Sequence, residues 1–511
     1  MRAHACIIVR AHANYYKEQG MRSIQASMER ARGGAAMDRR WLALAALAVA
    51  QFMVFLDETV VNVALPSIKA DLGFSQATLS WVVSAYIVVF GGLVLLGGRV
   101  ADLFGRRRVF LIGTAVFGGA SLLDGLASSQ GMLLGARVLQ GVGAALATPA
   151  ALALVTVLFP VRTERVKALA IWGALSGLGF AVGILLGGAI TEALSWRWVF
   201  LINVPVALVS LFVVPRLVSE SRISSRRGFD FAGASAVTIG LSTLVYALVK
   251  APAYGWSSLT THVLFAGAAG LLAAFVVIER RSATPLVPSG FLAQRRALVP
   301  NLLQLLLGVS GISSLFLLTL YTQQVLGYSP LKAGVAYLPL AAGVAAATAI
   351  ANQLVGRVGP RPLAAAGLGI ASVGMTLLGH ASVAADYASQ VLPALVVLGL
   401  GAGLSFVAIT TAALAGVEDD TAGLASGLLS TTGQIGGALG VAVLAGVVVT
   451  QRASELLASG SAPLAAQAGG LQLAFLIAAG VAQIASVVAL VALPRGKAAT
   501  AVSATAVEAS S

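Results

Sequence analysis

The chain has 511 residues, of which 58% are hydrophobic and 10% are charged. Soluble domains carry about 25% charged residues, so this composition excludes an ordinary soluble protein and indicates lipid as the main solvent. The formal net charge of +14 could suggest a nucleic-acid partner, but the charges lie in short segments between long apolar stretches. That distribution argues against nucleic acid and for a lipid bilayer.

Fourteen apolar stretches of roughly 17–30 residues are long enough to cross a membrane, because a helix needs about 20 residues to do so. The stretches do not alternate in polarity, and lipid demands a backbone that satisfies its own hydrogen bonds, so helices are predicted rather than strands. The sequence thus predicts an all-α polytopic membrane protein with fourteen transmembrane helices. The predicted spans are 42–66, 81–98, 109–128, 132–158, 168–190, 197–215, 232–250, 260–278, 298–325, 333–355, 363–381, 389–414, 421–450 and 471–493.

The distribution of positive charge predicts the orientation of these spans. With an even number of spans both termini lie on one side, and the loops and tail on that side carry 19 Lys and Arg residues. The opposite loops carry five, namely Lys69, Arg197, Lys250, Lys332 and Arg452. Loops rich in Lys and Arg stay in the cytoplasm. We therefore expect both termini to be cytoplasmic and the protein to lie in the cytoplasmic (inner) cell membrane.

The chain offers little material for a metal site or a disulfide. Cys6 is the single cysteine, and the four histidines are scattered without metal-ligand spacing. No Ser/His/Asp or Cys/His arrangement indicates an enzyme, and no phosphate-binding loop indicates an ATP motor. We expect no catalytic residue, no metal and no cofactor, and an ion gradient as the source of energy.

The spans divide into two six-helix bundles at 41–215 and 297–494, separated by an inserted helix pair with its linkers at 216–296. Residues 1–40 are polar and basic. They are either a cytoplasmic arm or sequence that precedes the true start codon. Residues 495–511 are predicted to form a cytoplasmic tail. A weak repeat relates the halves, since aligning Gly105 with Gly359 places Arg107 on Arg361 but Asp102 on Gly356. Repeated halves with a site between them are typical of secondary transporters.

A carboxylate pair, Asp57–Glu58, interrupts the first apolar stretch. A charge at membrane depth costs at least about 3 kcal/mol, and such residues usually carry a proton, an ion or a substrate. Asp57 lies roughly 13 Å and Arg137 roughly 8 Å below the same surface, so the two can pair if their helices adjoin. A neighbouring cation favours the ionised carboxylate whereas burial disfavours it, and that balance suits a group that exchanges a proton. A fixed ion pair that holds the helices together is the alternative.

Five motifs, in order and on matching spans, resemble those of one transporter family. They occupy 56–66, 98–108, 137–145, 196–205 and 422–428. On these motifs residues 38–495 resemble the major facilitator superfamily, specifically its 14-helix drug:proton antiporter family. The resemblance implies two six-helix bundles, with Asp57 taking the proton and Arg137 modulating it.

The resemblance also implies a conformational gate at the cytoplasmic end of the second helix. Its members Gly98, Asp102, Gly105, Arg106 and Arg107 would stabilise the outward-open state by latching onto a neighbouring helix end. Charge that merely sets the topology is the alternative.

Four more polar residues are candidates for the substrate cavity: Glu58, Asn62, Asp124 and Gln140. Glu58 cannot share the direction of Asp57, because neighbours on a helix diverge by about 100°. It faces either the cavity, where it would attract cations, or another helix. Asp124 either competes with Asp57 for Arg137 or reaches external water.

The fifth span carries Gly179, Gly183, Gly187 and Gly188, a spacing that lets helix backbones approach closely. In antiporters of this family the same helix usually carries a proline where this chain has Ile184, which weakens the inference of transport direction.

Together these features predict a monomeric antiporter that uses protons to export a small amphipathic or cationic drug or antibiotic by alternating access. Proton-coupled import, or export of a metabolite such as an amino acid or siderophore, is the main alternative. A membrane sensor is a further class, but no soluble output domain is visible. The sequence leaves the substrate and the proton stoichiometry open.

Overall fold

The computed structural model describes residues 39–222, 231–282, 285, 294–415 and 422–494. The predictions for the N-terminal arm before Arg39, for the tail after Pro494 and for much of the two linkers lie outside the described residues.

The described chain folds into helices joined by short turns. In chain order they are α1 Arg39–Leu72, α2 Gln76–Phe104, α3 Arg106–Gly125, α4 Gln130–Leu158, α5 Arg162–Ala193, α6 Trp196–Leu217, α7 Phe231–Tyr254, α8 Leu259–Arg281, α9 Arg295–Val325, α10 Pro330–Val358, α11 Pro360–Gly379, α12 Tyr387–Leu414, α13 Ala422–Gly440 with its continuations Val441–Val448 and Val449–Ala458, and α14 Pro463–Ala492.

Eleven helices within the described residues are long and apolar enough to cross a membrane. A twelfth span results if α2, which bends by 51° between Thr78–Val94 and Leu96–Phe104, is taken as one. Helices α5 and α7 contain shorter apolar segments, Val182–Ala193 and Ala232–Leu248. The all-helical membrane architecture is therefore confirmed, whereas the count of fourteen spans stays a prediction.

Serine side chains set where many helices begin. Ser75, Ser129, Ser195, Ser258 and Ser329 each accept a hydrogen bond from a backbone N–H in the first turn of the helix that follows. Such a cap satisfies a donor that the helix itself leaves without a partner. Because these caps lie in polar sequence, the helices extend beyond the apolar stretches that predicted them.

Gly105 and Gly359, which the repeat aligns, occupy equivalent positions in the fold. Gly105 separates α2 from α3 and Gly359 separates α10 from α11, and both have positive φ angles of 106° and 85°. Residues other than glycine rarely adopt this backbone conformation. The shared conformation explains why both halves keep glycine at this junction.

The helices of each half pack mainly on one another. Helix α4 packs along α2 and α3, while α12 packs along α10 and α11. Helices α7 and α8 form a pair, and α7 also packs on α2 and on the Val441–Val448 segment of α13. Helix α8 is the least buried candidate span, and Leu259 at its start is 80% exposed. Apolar side chains on such an outer surface suit contact with lipid.

Two contacts define the faces of the molecule. Arg39 at the start of α1 donates to the Arg216 carbonyl at the end of α6, and Arg295 at the start of α9 donates to the Ala492 carbonyl at the end of α14. We name the face that contains these residues the terminal face. The opposite face, where α1 ends at Leu72, is the far face.

Candidate functional site: a buried ion pair beside the interface of the two halves

A buried ion pair joins α1 to α4. Nη1 of Arg137 lies 2.7 Å from Oδ2 of Asp57, and the side chains are 1% and 0% exposed. Oδ1 of Asp57 accepts from Nε2 of Gln140 at 2.8 Å and from Nδ2 of Asn203 at 2.9 Å. Both carboxylate oxygens therefore have donors. An ionised carboxylate can persist in a dry interior only with such partners.

The aromatic and backbone groups around Arg137 fix its guanidinium. Nε donates to the Val82 carbonyl at 2.9 Å, and Nη1 also donates to Oε1 of Gln140. The guanidinium carbon lies 4.5 Å from the ring centroid of Tyr86 and 5.7 Å from that of Phe200. Cation–π contacts of this kind strengthen when water is excluded. Three other helices, α1, α2 and α6, thus hold one side chain of α4.

Asn203 and Ser121 belong to this network although the sequence did not single them out. Ser121 on α3 accepts from Gln140 at 2.9 Å and from Asn203 at 3.4 Å. Asn203 lies within the fourth motif, 196–205, and a polar residue inside an apolar span was the signal that could have found it. Arg137, Gln140 and Asn203 all donate toward the same buried acid.

Glu58 points away from this network and toward the other half of the molecule. Its Oε1 accepts a hydrogen bond of 3.1 Å from Nε2 of Gln434 on α13. The side chain is partly exposed, unlike that of Asp57. Of the two orientations that the sequence left open, the structure has Glu58 at the interface between the halves.

Asn62 lies one turn beyond Glu58 and donates to its backbone carbonyl at 2.8 Å. It lines a small pocket where α1 meets α5, α9 and α10, with Thr59, Val63, Ile184, Leu315, Thr319 and Tyr337. This pocket lies between the two halves and is mostly apolar.

Gln140 and Asp124, the other two cavity candidates, are both 0% exposed. Gln140 bonds to Asp57 and Ser121 within the first half rather than facing the interface between the halves. Asp124 lies near the end of α3 and does not reach solvent. Of its two predicted alternatives, contact with external water does not occur in this structure.

The two halves are joined near the far face. The backbone N–H of Leu331 at the start of α10 donates to Oε2 of Glu192 at the end of α5, at 2.9 Å. A Cβ at Gly188 would lie 2.6 Å from the Pro330 carbonyl oxygen, so α5 and α10 are nearly in backbone contact. Nε2 of Gln323 on α9 donates to the Val63 carbonyl on α1 at 2.8 Å. These contacts join the two halves on the far side of the interface.

Of the five residues predicted to form the gate, four cluster at the terminal face. Arg106 and Asp102 are paired at 2.8 Å, while Nη1 of Arg107 donates to the Val218 carbonyl at 3.1 Å. Glu220 accepts from the backbone N–H groups of Arg107 and Arg108, each at 3.0 Å, and so caps the start of α3. Gly98, one turn before Asp102 in α2, would place a Cβ 3.5 Å from Pro149, an ordinary contact. Val218 and Glu220 follow directly after α6, so this cluster joins the start of α3 to the segment that leaves the first bundle.

The four glycines of α5 lie where α5 touches its neighbours. Gly179 faces Phe55, Gly183 faces Thr59 and Gly187 faces Val60, all on α1, whereas Gly188 faces Pro330. A Cβ at Gly187 would lie 2.9 Å from the Val60 carbonyl oxygen. Helix α5 therefore contacts α1, which carries the acid pair, along one side and the second half at its end.

The arrangement joins two carboxylates of different surroundings on one helix, and it offers no ready metal site. Among the described residues no group of three or more His, Cys, Asp or Glu side chains is placed to hold a metal ion. One acid is buried and paired with an arginine, and the other lies at an interface. Such a pair of acids suits the translocation of an ion or a substrate.

The comparisons with known proteins agree with this architecture. Residues 47–441 match the family model of the Major Facilitator Superfamily, and the chain belongs to this superfamily of membrane transporters. A bacterial homologue of the human lysosomal transporter Spinster, solved in an inward-facing and unoccupied conformation, superposes with a TM-score of 0.65 at 20% identity, covering 89% of this chain and 97% of its own. This likeness shows the shared fold.

Two relatives are closer in sequence. The puromycin resistance protein of Streptomyces alboniger is 43% identical over 89% of this chain and 91% of its own length. The cephamycin export protein of Amycolatopsis lactamdurans is 40% identical over 79% of this chain and 84% of its own. The chain is therefore a multi-pass membrane transporter similar to antibiotic resistance and export proteins.

Proposed function

We propose that the protein is a proton-driven antiporter that exports small amphipathic or cationic antibiotics across the cytoplasmic membrane by alternating access. The observation that carries this proposal is the buried Asp57, held by Arg137, Gln140 and Asn203. A proton that binds Asp57 cancels its charge and weakens three charge-assisted hydrogen bonds at once. Because α1 also contacts α5 and α13, such a change reaches the interface between the halves.

Glu58 supplies the attraction for a positively charged substrate. Its carboxylate lies at the interface of the halves, one residue from the proton site, and its hydrogen bond to Gln434 crosses between them. A cation bound there and a proton on Asp57 both reduce negative charge at one point of α1. Like charges brought together at low dielectric repel, so the two ligands exclude each other, as antiport requires.

The excess of Lys and Arg in the terminal-face loops supports a cytoplasmic position for that face. The proposal includes fourteen spans and a monomeric transporter. In that orientation the contacts of Glu192 and Gly188 with α10 seal the external side. The conformation described here is then closed to the outside. Substrate would enter from the cytoplasm and Asp57 would have released its proton inward.

The proposal is tested with everted membrane vesicles, in which the lumen corresponds to the external side. Puromycin and a cephamycin are offered outside the vesicles with an acidic lumen, with a neutral lumen and after the gradient is collapsed. Accumulation that requires the acidic lumen supports proton-driven export. Equal accumulation with and without the pH gradient contradicts proton-driven transport. Accumulation that requires the reverse pH gradient favours an importer.

Asp57→Asn and Asp386→Asn form a matched pair of variants for this assay. The hydroxyl and backbone N–H of Ser389 hold the pKa of the Asp386 carboxyl below its usual range, so this surface acid stays ionised at neutral pH. We expect Asp57→Asn to lose gradient-driven accumulation and Asp386→Asn to retain it.

A further inference from the structure

Asp124, on the last turn of α3, is a buried acid whose carboxylate has no partner. It is 0% exposed, and within the described residues neither Oδ1 nor Oδ2 accepts a hydrogen bond. Most buried polar side-chain atoms in proteins have a partner, and each exception calls for an explanation. An ionised carboxylate without a donor is costly in a dry interior, so the neutral acid, with its proton in place, is the form that this position tolerates.

The register of α3 against α4 sets Asp124 opposite Arg137. The two helices run antiparallel, with Gly113 against Ala147 and Phe117 against Gly143. One turn later Ser121 accepts from Gln140. Advancing one more turn on each helix, by three residues, brings Asp124 level with Arg137.

Arg137 is thus flanked by two acids. It bonds to Asp57 and also interacts electrostatically with Asp124. Among the described residues, the charged groups that interact with Asp124 are Arg137 on α4 and Asp57 on α1. Tyr86 on α2 lies against Arg137, and Arg197 on α6 lies toward the far face.

A thin layer separates Asp124 from the far face. Its backbone carbonyl accepts from the N–H of Ala127, and Nη2 of Arg197 donates to the Ala127 carbonyl at 3.1 Å. Arg197 in turn pairs with Asp71 at 2.6 Å, with both side chains more than a third exposed. The turn that contains Ala127 therefore links the buried acid to a charged pair in contact with water.

We propose that Asp124 is a proton relay between Asp57 and the far face, which lets protons travel inside the first helix bundle, apart from the substrate path at Glu58. The proposal rests on the proposed function, in which Asp57 exchanges protons. Chains of acids serve as proton relays in other pumps and transporters. Here the relay would consist of two carboxyl groups that share one arginine.

The transfer step is balanced in atoms and charge. The O–H bond on Asp124 breaks, an O–H bond forms on the Asp57 carboxylate, and the Arg137 guanidinium moves from Asp57 to the newly ionised Asp124. One acid is neutral and the other is paired with Arg137 both before and after, so the cluster stays uncharged. When Asp57 later loses its proton toward the terminal face, Arg137 returns and Asp124 regains a proton from the far face.

Asp124→Asn keeps the shape of the side chain and removes its ability to carry a proton. In proteoliposomes we expect this variant to lose most of the flux driven by a pH gradient, while substrate counterflow, which needs no net proton movement, stays near the wild-type rate. Equal losses of both fluxes would mean that Asp124 only supports the structure, and full gradient-driven flux would also overturn the relay. Wild-type protein that shows no gradient-driven flux would instead contradict the proposed function.

Infrared spectroscopy gives a readout that does not depend on transport. The purified wild-type protein should show the C=O band of a buried protonated carboxyl group, which Asp386→Asn retains and Asp124→Asn lacks. A spectrum of folded Asp124→Asn identical to that of the wild type would contradict the proposal.

Discussion

Asp57 and Glu58 are adjacent on α1 but belong to different parts of the molecule. The Asp57 carboxylate lies 2.7 Å from Arg137 within the first half, while the Glu58 carboxylate accepts a 3.1 Å hydrogen bond from Gln434 in the second half. One helical turn thus presents one acid to a buried cation and another to the interface between the halves, where we propose that substrates pass. This division of roles leads to distinct expectations for each residue.

Glu58→Gln should impair the export of cations selectively. Glutamine can still pair with Gln434, so the packing is kept and only the charge is lost. A charge-assisted contact is worth about 1.5–3 kcal/mol, which corresponds to a loss of about tenfold or more in apparent affinity. Competition assays with paired cationic and neutral compounds measure this ratio. An equal loss for both compounds would show that Glu58 does not recognise charge.

Arg137→Met should destabilise the protein because it leaves Asp57 buried without its cation. Breaking a buried ion pair from one side costs about 3–5 kcal/mol. The double variant Asp57→Asn/Arg137→Met removes both charges and should recover much of the lost thermal stability. Unfolding temperatures of the two single variants and the double variant in detergent test this. Additive losses would indicate that the two side chains do not interact.

Gly188→Ala should favour a conformation that is open at the far face. The new Cβ would lie 2.6 Å from the Pro330 carbonyl oxygen and 2.9 Å from Cα of Leu331, so α5 and α10 must separate. Spin labels at Ala193→Cys and Lys332→Cys, in a background with Cys6→Ser, report the distance across this contact.

Gly119→Ala is the matched control for that measurement, because the added Cβ would meet no neighbouring helix within 4 Å. We expect longer distances with Gly188→Ala and unchanged distances with Gly119→Ala. An unchanged distribution in Gly188→Ala would mean that the helices tolerate the methyl group without parting.

Gly105→Ala should weaken the gate cluster at the terminal face. The residue has φ of 106°, and an added Cβ would lie 2.8 Å from the Glu220 carboxylate that caps α3. Strained backbone of this kind costs about 1–3 kcal/mol. We expect lower thermal stability and slower export, and Gly119→Ala again serves as the control. Wild-type stability and rate would leave Gly105 without a structural role.

The sequence was sufficient to predict helices, their order and the acid of the first span, because lipid forces long apolar segments into helices. The helix boundaries predicted from the sequence were less accurate. Helix α1 continues through Pro66 to Leu72, and serine caps such as Ser129 start their helices before the apolar stretch begins.

The partners of the site were harder to predict, since they depend on which helices touch. The membrane depths estimated from the sequence made Asp57 and Asp124 equally plausible partners for Arg137. Only the structure shows that Arg137 pairs with Asp57. Asn203 and Gln434 complete the surroundings of Asp57 and Glu58 from distant parts of the chain. No spacing rule connects residues that are 146 or 376 positions apart.

The central claim, that Asp57 exchanges a proton with transport, is tested most directly by measuring proton release from purified protein in weakly buffered detergent when substrate is added. Wild-type protein and Asp386→Asn should release protons on binding, and Asp57→Asn should bind substrate and release none. Undiminished release from Asp57→Asn would contradict the account, because the proton would then come from another group.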